Sequence, residues 1–178
     1  LLFSFLLGLS FANHMTTILL DPAFIYLYFT TLRWNRESLM LLGKLVPWFL
    51  LGLSAYLFLP LRSSQYPFLD WGHPAELERL AWHISGKQYR SWIISSFESA
   101  EKQLKYFFEN IPLEFNWLVI VCILIGFWTL FQHRRRLFAF LGLLIVGCLA
   151  YSINYDIHDI DAYFLLVYIA AGMTGVFG

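Results

Sequence analysis

Residues 137–153 read Leu-Phe-Ala-Phe-Leu-Gly-Leu-Leu-Ile-Val-Gly-Cys-Leu-Ala-Tyr-Ser-Ile. The run carries no charged side chain, and its apolar residues would cover every side of a helix rather than one stripe. A helix needs about 20 mostly apolar residues to cross the hydrocarbon core of a bilayer, and this run approaches that length. The stretch therefore predicts a helix buried in lipid.

Similar apolar runs lie on both sides of this one. They cover residues 1–11, 15–32, 38–61, 115–132 and 162–178. Together the runs predict an all-α fold, a polytopic transmembrane helical bundle. Because the first run opens on Leu1 without a starting Met and the last stops at Gly178, we expect both end helices to be truncated and the chain to be a fragment.

The composition agrees with residence in a membrane. Hydrophobic residues make up 59% of the chain and charged residues 13%, whereas roughly a quarter of a soluble domain is charged. The formal net charge is zero, so nothing favours a nucleic-acid partner. Cys122 and Cys148 lie inside apolar runs and are expected to pack there rather than form a disulfide. No Walker loop, dinucleotide fingerprint, zinc spacing or serine-nucleophile elbow supports ATP, NAD or metalloprotease chemistry.

The connections between the runs indicate which side of the membrane they face. Two short, basic turns at 33–37 and 133–136 fall on one face, which the positive-inside rule makes cytoplasmic. The opposite face receives Asn13 and His14, the long segment 62–114 and the acidic segment 154–161. We therefore divide the chain into membrane helices at 1–61, an extracytoplasmic loop at 62–114 and membrane helices at 115–178.

The long outer loop contains two predicted amphipathic helices. The first begins at Pro74, carries Leu77, Leu80 and Ile84 at helical spacing, and ends before Gly86. The second has an apolar stripe and is ended by Pro112; its stripe consists of Phe97, Ala100, Leu104, Phe107, Phe108 and Ile111. With that stripe turned inward, the helix is suited to the membrane interface.

The densest group of chemically reactive side chains is Asn-Tyr-Asp-Ile-His-Asp-Ile-Asp-Ala-Tyr at 154–163. Asp156, His158, Asp159 and Asp161 are the candidate catalytic residues. They are suited to bind a divalent metal, to orient sugar hydroxyls or to act as a general base. The alternative is structural: Asp159 or Asp161 caps the last helix and complements its dipole. No metal ligand set is assigned, so a divalent metal stays one alternative.

Other polar residues beside the apolar runs have both a structural and a functional interpretation. Asn13 and His14 form either a polar turn or one wall of a cleft, since they reach the same outer face as His158. Arg62 is either an interfacial anchor for lipid head groups or a clamp for a phosphate, which guanidinium geometry favours. Asp70 and His73 fit a tight turn feeding a helix better than a catalytic site. Asp21, inside an apolar run, serves either a site or a neighbouring partner.

Five blocks stand in order along the chain: Gly-Leu-Ser-Phe-Ala-Asn-His-Met-Thr-Thr at 8–17, Leu-Pro-Leu-Arg-Ser at 59–63, Asp-Trp-Gly-His-Pro at 70–74, Gln-Tyr at 88–89, and the acidic block extended to Phe164. Together they resemble the motifs of a bacterial membrane family known as domain of unknown function 2723. That family is related to the protein O-mannosyltransferases and similar in architecture to the GT-C glycosyltransferases.

The resemblance implies a GT-C-like glycosyltransferase. Such an enzyme moves a sugar, mannose being one candidate, from a polyprenyl- or dolichyl-phosphate donor to a protein or lipid acceptor on the extracytoplasmic side. The membrane would be the bacterial inner membrane, or the endoplasmic reticulum in a eukaryote. Asn13, His14 and Arg62 match motif positions as substrate-binding candidates, whereas the principal catalytic carboxylate is expected upstream of Leu1. A transporter or flippase and a non-catalytic membrane subunit are the alternatives.

Overall fold

The computed structural model of the chain describes residues 1–93 and 96–178, with every side chain in these ranges except that of Gln88. Within these residues all regular structure is helical, and one isolated β-bridge joins Ile93 to Tyr155. The α-helices are α1 (Leu2–Asn13), α2 (Asp21–Leu32), α3 (Arg36–Leu53), α4 (Phe58–Ser63), α5 (Leu77–Ile84), α6 (Phe97–Glu114), α7 (Trp117–His133), α8 (Arg135–Ile153) and α9 (Asp161–Gly175). Short 3-10 helices span Met15–Leu20, Ser54–Leu57 and Lys87–Trp92. The prediction of an all-α fold is confirmed for the described residues.

Three helical stretches are long and apolar enough to cross a membrane. They are Met15–Leu32, Arg36–Ser63 and α8, and they coincide with predicted runs at 15–32, 38–61 and 137–153. Helices α6 and α7 meet that criterion only as a pair, and they are bent by 110° where they join. Helices α1 and α9 are apolar but shorter.

Side-chain caps explain where several helices begin. The Asn35 side chain accepts a hydrogen bond from the Ser38 amide at the start of α3. Ser96 does the same for Ser99 at the start of α6, and Asn116 for Val119 at the start of α7. Each cap satisfies an amide that has no partner within its own helix, which typically stabilises a helix by about 1 kcal/mol.

Two predicted helix boundaries in the outer loop are wrong, and one is confirmed. Helix α5 begins at Leu77 rather than Pro74, because Pro74 to Glu76 form a turn before it. Gly86 follows the C-cap Ser85 with a φ of +59°, as a C′ glycine should. Pro112 does not end α6, which continues to Glu114. A proline removes one helical hydrogen bond but does not by itself prevent the next two residues from staying helical.

The buried face of α6 is more polar than the sequence predicts. Ser99, Gln103 and Phe107 are buried, whereas Phe97 and Phe108 are exposed. The predicted stripe is therefore split, because only Phe107 of these aromatic residues faces the protein. The exposed phenylalanines lie on a separate face that is free to meet the membrane interface.

The chain packs as two compact units that do not follow its division into membrane and loop segments. The first unit comprises Leu1–Ile18 and Leu32–Arg90, and the second comprises Leu19–Thr31 and Ser91–Gly178. Each unit contains part of the predicted outer loop. The division at 61 and 114 remains a prediction about the membrane rather than about packing.

In the first unit, α1 and α3 run parallel and touch backbone to backbone. The Ser4 hydroxyl donates to the Leu45 carbonyl at 2.8 Å, and further along Phe11 packs edge-on against Phe49. Between these contacts, a Cβ atom on Gly8 would overlap the Phe49 carbonyl, and one on Gly52 would overlap the Phe5 carbonyl. Small residues at such a crossing let apolar helices approach closely where no hydrophobic effect drives them together.

In the second unit, α7 and α9 are parallel and in direct contact, and α8 runs in the opposite direction beside them. Cβ atoms on Gly126 and Gly178 would overlap the carbonyl groups of Thr174 and Cys122. Near the opposite end, Phe107 of α6 packs against Phe164 of α9, with ring centroids 5.0 Å apart. This aromatic cluster lies beside the segment that connects α8 to α9.

Candidate functional site

Three of the sequence candidates lie at the end of the first unit where α1 ends. Because α1 and α3 are parallel, Asn13 and His14 leave α1 at the end where the chain runs on from α3 into Ser54–Leu57 and α4. The Tyr56 hydroxyl marks this end, since it donates to the Phe11 carbonyl at 3.2 Å. Arg62 lies in the last turn of α4, beyond Tyr56.

The His14 side chain has a structural role in this arrangement. Its Nδ1 atom accepts a hydrogen bond from the Thr16 amide at 3.3 Å and lies 2.7 Å from the Thr16 hydroxyl. It therefore satisfies an amide at the start of the 3-10 helix Met15–Leu20. Asn13 and His14 are nevertheless exposed. The polar-turn interpretation accounts for the contacts of Nδ1.

Arg62 is exposed at the end of a helix that is long enough to cross a membrane. Its Nη1 atom donates to Gln65 Oε1 at 2.8 Å. Because the Gln65 amide is neutral, this contact does not compensate the charge of the guanidinium. A guanidinium in this setting can bind a phosphate through its remaining donors.

Next to Arg62 in the sequence, Ser63 begins a cluster in which two side chains converge on one carboxylate oxygen. Asp70 Oδ2 accepts a hydrogen bond from the Ser63 hydroxyl at 2.8 Å and lies 2.6 Å from Nδ1 of His73. Ser63 Oγ and His73 Nδ1 are 3.3 Å apart, side by side on that oxygen. Ser63 is 2% exposed, whereas the side chains of Asp70 and His73 are 19% and 37% exposed. The inner hydroxyl anchors the carboxylate, and the carboxylate in turn anchors a partly exposed imidazole.

The electrostatics of this cluster favour an ionised Asp70. The hydrogen bond from His73, and a weaker contribution from Ser63, hold the pKa of the Asp70 carboxyl below its usual value of 3.8. Hydrogen bonds that stabilise the charged form of an acid lower its pKa. Asp70 is therefore a carboxylate acceptor throughout the physiological range.

The backbone around the cluster adopts conformations that side-chain-bearing residues rarely take. Tyr66, Gly72 and His73 have φ values of +50°, +75° and +48°. His73 also precedes Pro74, and the proline ring disfavours anything but an extended conformation at the residue before it. Such residues cost of order 1–3 kcal/mol each and persist where the surroundings hold them in place. Here the hydrogen bonds to Asp70 and the stacking of the Tyr66 ring on His73 do so.

The loop closed by Ser63 and Asp70 has an apolar tip. No charged residue lies between Arg62 and Asp70, and Tyr66, Phe68 and Leu69 are all strongly exposed, Phe68 completely. Trp71 is exposed as well. Aromatic and apolar side chains grouped in this way, directly beyond an apolar helix, are typical of a loop at the membrane–water interface.

The acidic segment 154–161 is placed by backbone contacts within the second unit. The Asp156 amide donates to the Trp92 carbonyl at 2.9 Å, and Gln103 Nε2 of α6 donates to the Ile157 carbonyl at 3.3 Å. The Tyr106 hydroxyl donates to Asp161 Oδ1 at 2.6 Å, which raises the pKa of Tyr106. These bonds hold the segment against α6.

The side chains of the candidate catalytic residues point outward from that segment. Asp156, His158, Asp159 and Asp161 are all exposed. In and beside the segment, the Tyr151 ring stacks on the rings of Tyr155 and Tyr163, which are tilted relative to each other with centroids 5.0 Å apart. The segment therefore presents carboxylates and an imidazole beside a group of tyrosine rings.

The structure bears on two of the alternatives for the acidic segment, metal binding and helix capping. Among residues 1–93 and 96–178, no group of three or more His, Cys, Asp or Glu side chains is arranged to hold a metal ion, so the proposed metal alternative has no ligand set there. The N-cap position of α9 is Ile160, which makes no side-chain cap, so neither Asp159 nor Asp161 caps this helix. Asp161 lies in the first turn, where its charge complements the helix dipole.

The Ser63–Asp70–His73 cluster is the main feature that the sequence does not predict. The sequence favours a tight turn at Asp70 and His73, and Ser63 stands out only as the last residue of the block at 59–63. A signal was present, because Asp-x-x-His places two titratable groups within hydrogen-bond reach in a turn. The long-range partner, Ser63, could not be inferred from spacing. Gln88, part of the resemblance, lies outside the described side chains.

Comparisons with known proteins add no relative. No protein-family model, curated protein or solved structure matches the chain.

Proposed function

We propose that the chain is part of a membrane glycosyltransferase that moves a sugar from a polyprenyl- or dolichyl-phosphate donor to a protein or lipid acceptor on the extracytoplasmic face. The proposal rests on two groups that follow each other closely in the sequence where a helix of membrane length ends. One is an exposed cation, and the other is an imidazole held in a fixed orientation. Arg62 is the cation, and His73, held by Asp70, is the imidazole.

The chemistry of a lipid-linked donor explains why these groups would lie together. The polyprenyl chain needs lipid, the phosphate needs a cation, and the sugar needs hydrogen-bonding groups at the water side. Arg62 supplies the cation beside exposed aromatic side chains that suit the interface. Asn13 and His14, in the same unit as Arg62, are the proposed ligands of the sugar hydroxyls. For Asp156, His158, Asp159 and Asp161, in the other unit, the catalytic role remains a prediction from the sequence. Mannose is one candidate sugar.

The resemblance to the family of domain of unknown function 2723 supports the same proposal, as it supports a GT-C-like architecture. Under it, the protein is a multi-pass membrane protein whose site faces away from the cytoplasm. The motif positions Asn13, His14 and Arg62 lie at one end of the first unit, which is consistent with a shared substrate-binding role.

A transporter or flippase is the alternative of a different class. Buried charges near the bilayer midplane and repeated halves are typical of transporters. Asp21, half-buried at the start of α2, is the feature that would serve such a role. A non-catalytic membrane subunit is the third candidate, and it predicts no transfer at all.

The test is sugar transfer by the full-length protein in proteoliposomes, with radiolabelled polyprenyl-phosphate sugars and candidate acceptors. Arg62→Ala should raise the KM for the donor at least tenfold, whereas Arg36→Ala, an exposed arginine at the other end of the same helical stretch, should leave it unchanged. His158→Ala and Asp159→Ala should reduce transfer without loss of membrane insertion. Movement of the donor across the bilayer without transfer would favour the flippase, and inactivity in both assays would favour the subunit.

A further inference from the structure

Three consecutive arginines lie where α7 turns into α8. Arg134, Arg135 and Arg136 are all exposed. The sequence holds no Asp or Glu from residue 115 to residue 155, a range that includes both helices. Among the described residues, none of the ion pairs involves this turn. The turn is therefore a concentrated positive charge that the described part of the chain does not neutralise.

The three arginines line one open cavity. Its volume is about 530 Å³, and its other lining residues are Gln132, His133 and Leu137, none of which carries a negative charge. Pockets for small ligands have volumes of about 300–1,000 Å³. Guanidinium groups present paired N–H donors that match the oxygens of a phosphate. The cavity therefore suits an anionic group, and a phosphate in particular.

Aromatic rings position two of the guanidinium groups. The Arg134 guanidinium lies over the ring of Phe177, just beyond α9, at 5.9 Å from the ring centroid. The Arg135 guanidinium lies over the ring of Phe131 in α7, at 5.7 Å. A ring face attracts a cation without neutralising its charge or taking up its hydrogen-bond donors in the way a carboxylate does. These contacts therefore place the cations and keep them available to an anion.

An exposed apolar stripe on α7 leads away from Arg135. Leu124, Trp128 and Phe131 are all exposed, and their spacing of i, i+4 and i+7 places them on one face of the helix. The ring centroids of Trp128 and Phe131 are 6.4 Å apart, and Phe131 is also the ring that contacts Arg135. The stripe extends for about 10 Å along the helix axis. A ligand with a phosphate at one end and a hydrocarbon chain at the other would contact both features.

Two simpler explanations account for only part of this arrangement. The positive-inside rule favours basic residues in a short cytoplasmic turn, but it does not require them to line one cavity. Cations also stabilise the C-terminal end of a helix, which explains His133 and Arg134 at the end of α7. Arg135 and Arg136 lie instead in the first turn of α8, where cations oppose the helix dipole and no acidic residue offsets them.

We propose that the turn between α7 and α8 binds an anionic phospholipid of the leaflet that it faces, which the positive-inside rule predicts to be the cytoplasmic one. The lipid phosphate occupies the cavity lined by residues 134–136, and one acyl chain lies along Leu124, Trp128 and Phe131. The site does not depend on the proposed sugar transfer, since Arg62 and its neighbours belong to the other packing unit.

The test is lipid binding by the full-length protein in detergent, titrated with dioleoyl phosphatidylglycerol or dioleoyl phosphatidylcholine and followed by native mass spectrometry. Combined replacement of the arginines, Arg134→Gln with Arg135→Gln and Arg136→Gln, should weaken phosphatidylglycerol binding on the order of 10²-fold, from about fivefold for each basic group at an anionic surface. Phosphatidylcholine binding should not change. The matched control is Arg33→Gln with Arg36→Gln, which changes the other basic turn and should bind phosphatidylglycerol as the wild type does.

A second variant keeps the positive charge on which membrane orientation depends. Replacement of all three arginines by lysine should leave insertion unchanged and weaken phosphatidylglycerol binding by at least about threefold, because an ammonium cannot form the bidentate contact. Excess glycerol 3-phosphate, which carries the head-group phosphate without acyl chains, should not displace the lipid from the wild type.

Three results would overturn the proposal. Equal phosphatidylglycerol binding by the wild type and the lysine variant would leave the arginines as an orientation signal. An equal loss of binding in the Arg33 and Arg36 control would show general attraction of anionic lipid rather than a site. Displacement by glycerol 3-phosphate would assign the cavity to a soluble anion. None of these results bears on sugar transfer, so the two proposals stand or fall separately.

Discussion

A single carboxylate oxygen, Asp70 Oδ2, holds together the segment from Ser63 to His73 in the first unit. It accepts from a buried hydroxyl and from an imidazole at distances of 2.8 and 2.6 Å, and so closes the loop that follows α4. A hydrogen bond to an ionised acceptor is roughly twice as strong as one between neutral groups. The loop therefore depends on the charge of Asp70 more than on any contact at its apolar tip.

This dependence predicts how acid will affect the loop. The folded pKa of Asp70 is below the value of 3.8 expected in the unfolded chain, so its contribution is fully present above about pH 4 and is lost as the pH falls through the folded pKa. Hydrogen exchange of residues 64–73, corrected for its intrinsic pH dependence, should rise on acidification below about pH 4.

The matched variant for this experiment is Asp70→Asn. Its loop should exchange quickly at neutral pH and show no further acid-dependent step, since the titrating carboxyl is gone. Equal protection of the loop in the wild type and in Asp70→Asn at neutral pH would contradict the role given to Asp70.

Some of the candidate site follows from the sequence and some does not. Arg62, Asn13 and His14 are identified by their position beside apolar runs, and the structure places them at one end of the first unit. The exposure of the four candidate catalytic side chains, Asp156, His158, Asp159 and Asp161, also agrees with a surface role. The bond from Ser63 to Asp70 depends on a turn whose φ values a sequence of Tyr, Gly and His does not determine.

At the scale of helices, glycine decides how closely α1 and α3 approach. The backbones meet at Gly8 and Gly52, where any Cβ would collide with a carbonyl of the other helix. Gly43, in the same helix as Gly52, has nothing within 4 Å of the position a Cβ would take. A methyl group added at Gly8 or Gly52 should therefore lower the stability of the protein, whereas one added at Gly43 would meet no neighbouring atom.

Replacement of these glycines by alanine should separate packing from helix propensity. Gly8→Ala and Gly52→Ala should each destabilise the protein by about 1–3 kcal/mol, the usual cost of overpacking. Gly43→Ala should be neutral or stabilising by up to about 1 kcal/mol, because alanine is the better helix former. Thermal unfolding in detergent, followed by circular dichroism, measures all three. Equal stability of Gly8→Ala and Gly43→Ala would exclude a close backbone contact.

Helix existence is easier to predict than helix ends. Apolar runs identify α2, α3 and α8, and the glycine at Gly86 marks the end of α5. The prolines mislead: α5 begins three residues after Pro74, and α6 continues past Pro112. Proline restricts φ and removes one donor, but neighbouring contacts decide whether the helix starts or stops there.

At the scale of the molecule, the chain combines three helices of membrane length with a segment, 62–114, that is divided between its two packing units. Apolar composition predicts the first property directly. The sequence cannot predict the second, since helix α2 packs with residues that lie far along the chain; Ala23, for example, is in one cluster with Leu141. Long-range packing of this kind leaves no local pattern.

The proposed orientation can be tested with single cysteines. In a background with Cys122 and Cys148 replaced by alanine, Ser64→Cys should react with a membrane-impermeant maleimide in intact cells, because the positive-inside rule places this end outside. Gln132→Cys, next to the basic turn at 133–136, should react only after permeabilisation. Both positions are exposed in the structure. The reverse labelling pattern would place the proposed site on the cytoplasmic face.

The glycine crossing of α1 and α3 also limits how the protein can move. At this crossing the backbone of one helix lies directly against the backbone of the other. A slide of one helical turn would bring a bulky neighbour such as Phe11 or Trp48 to the position now taken by a glycine. The two helices can therefore neither ratchet past each other nor rotate independently. Rocking of one against the other, as alternating access demands, would have to occur elsewhere in the protein.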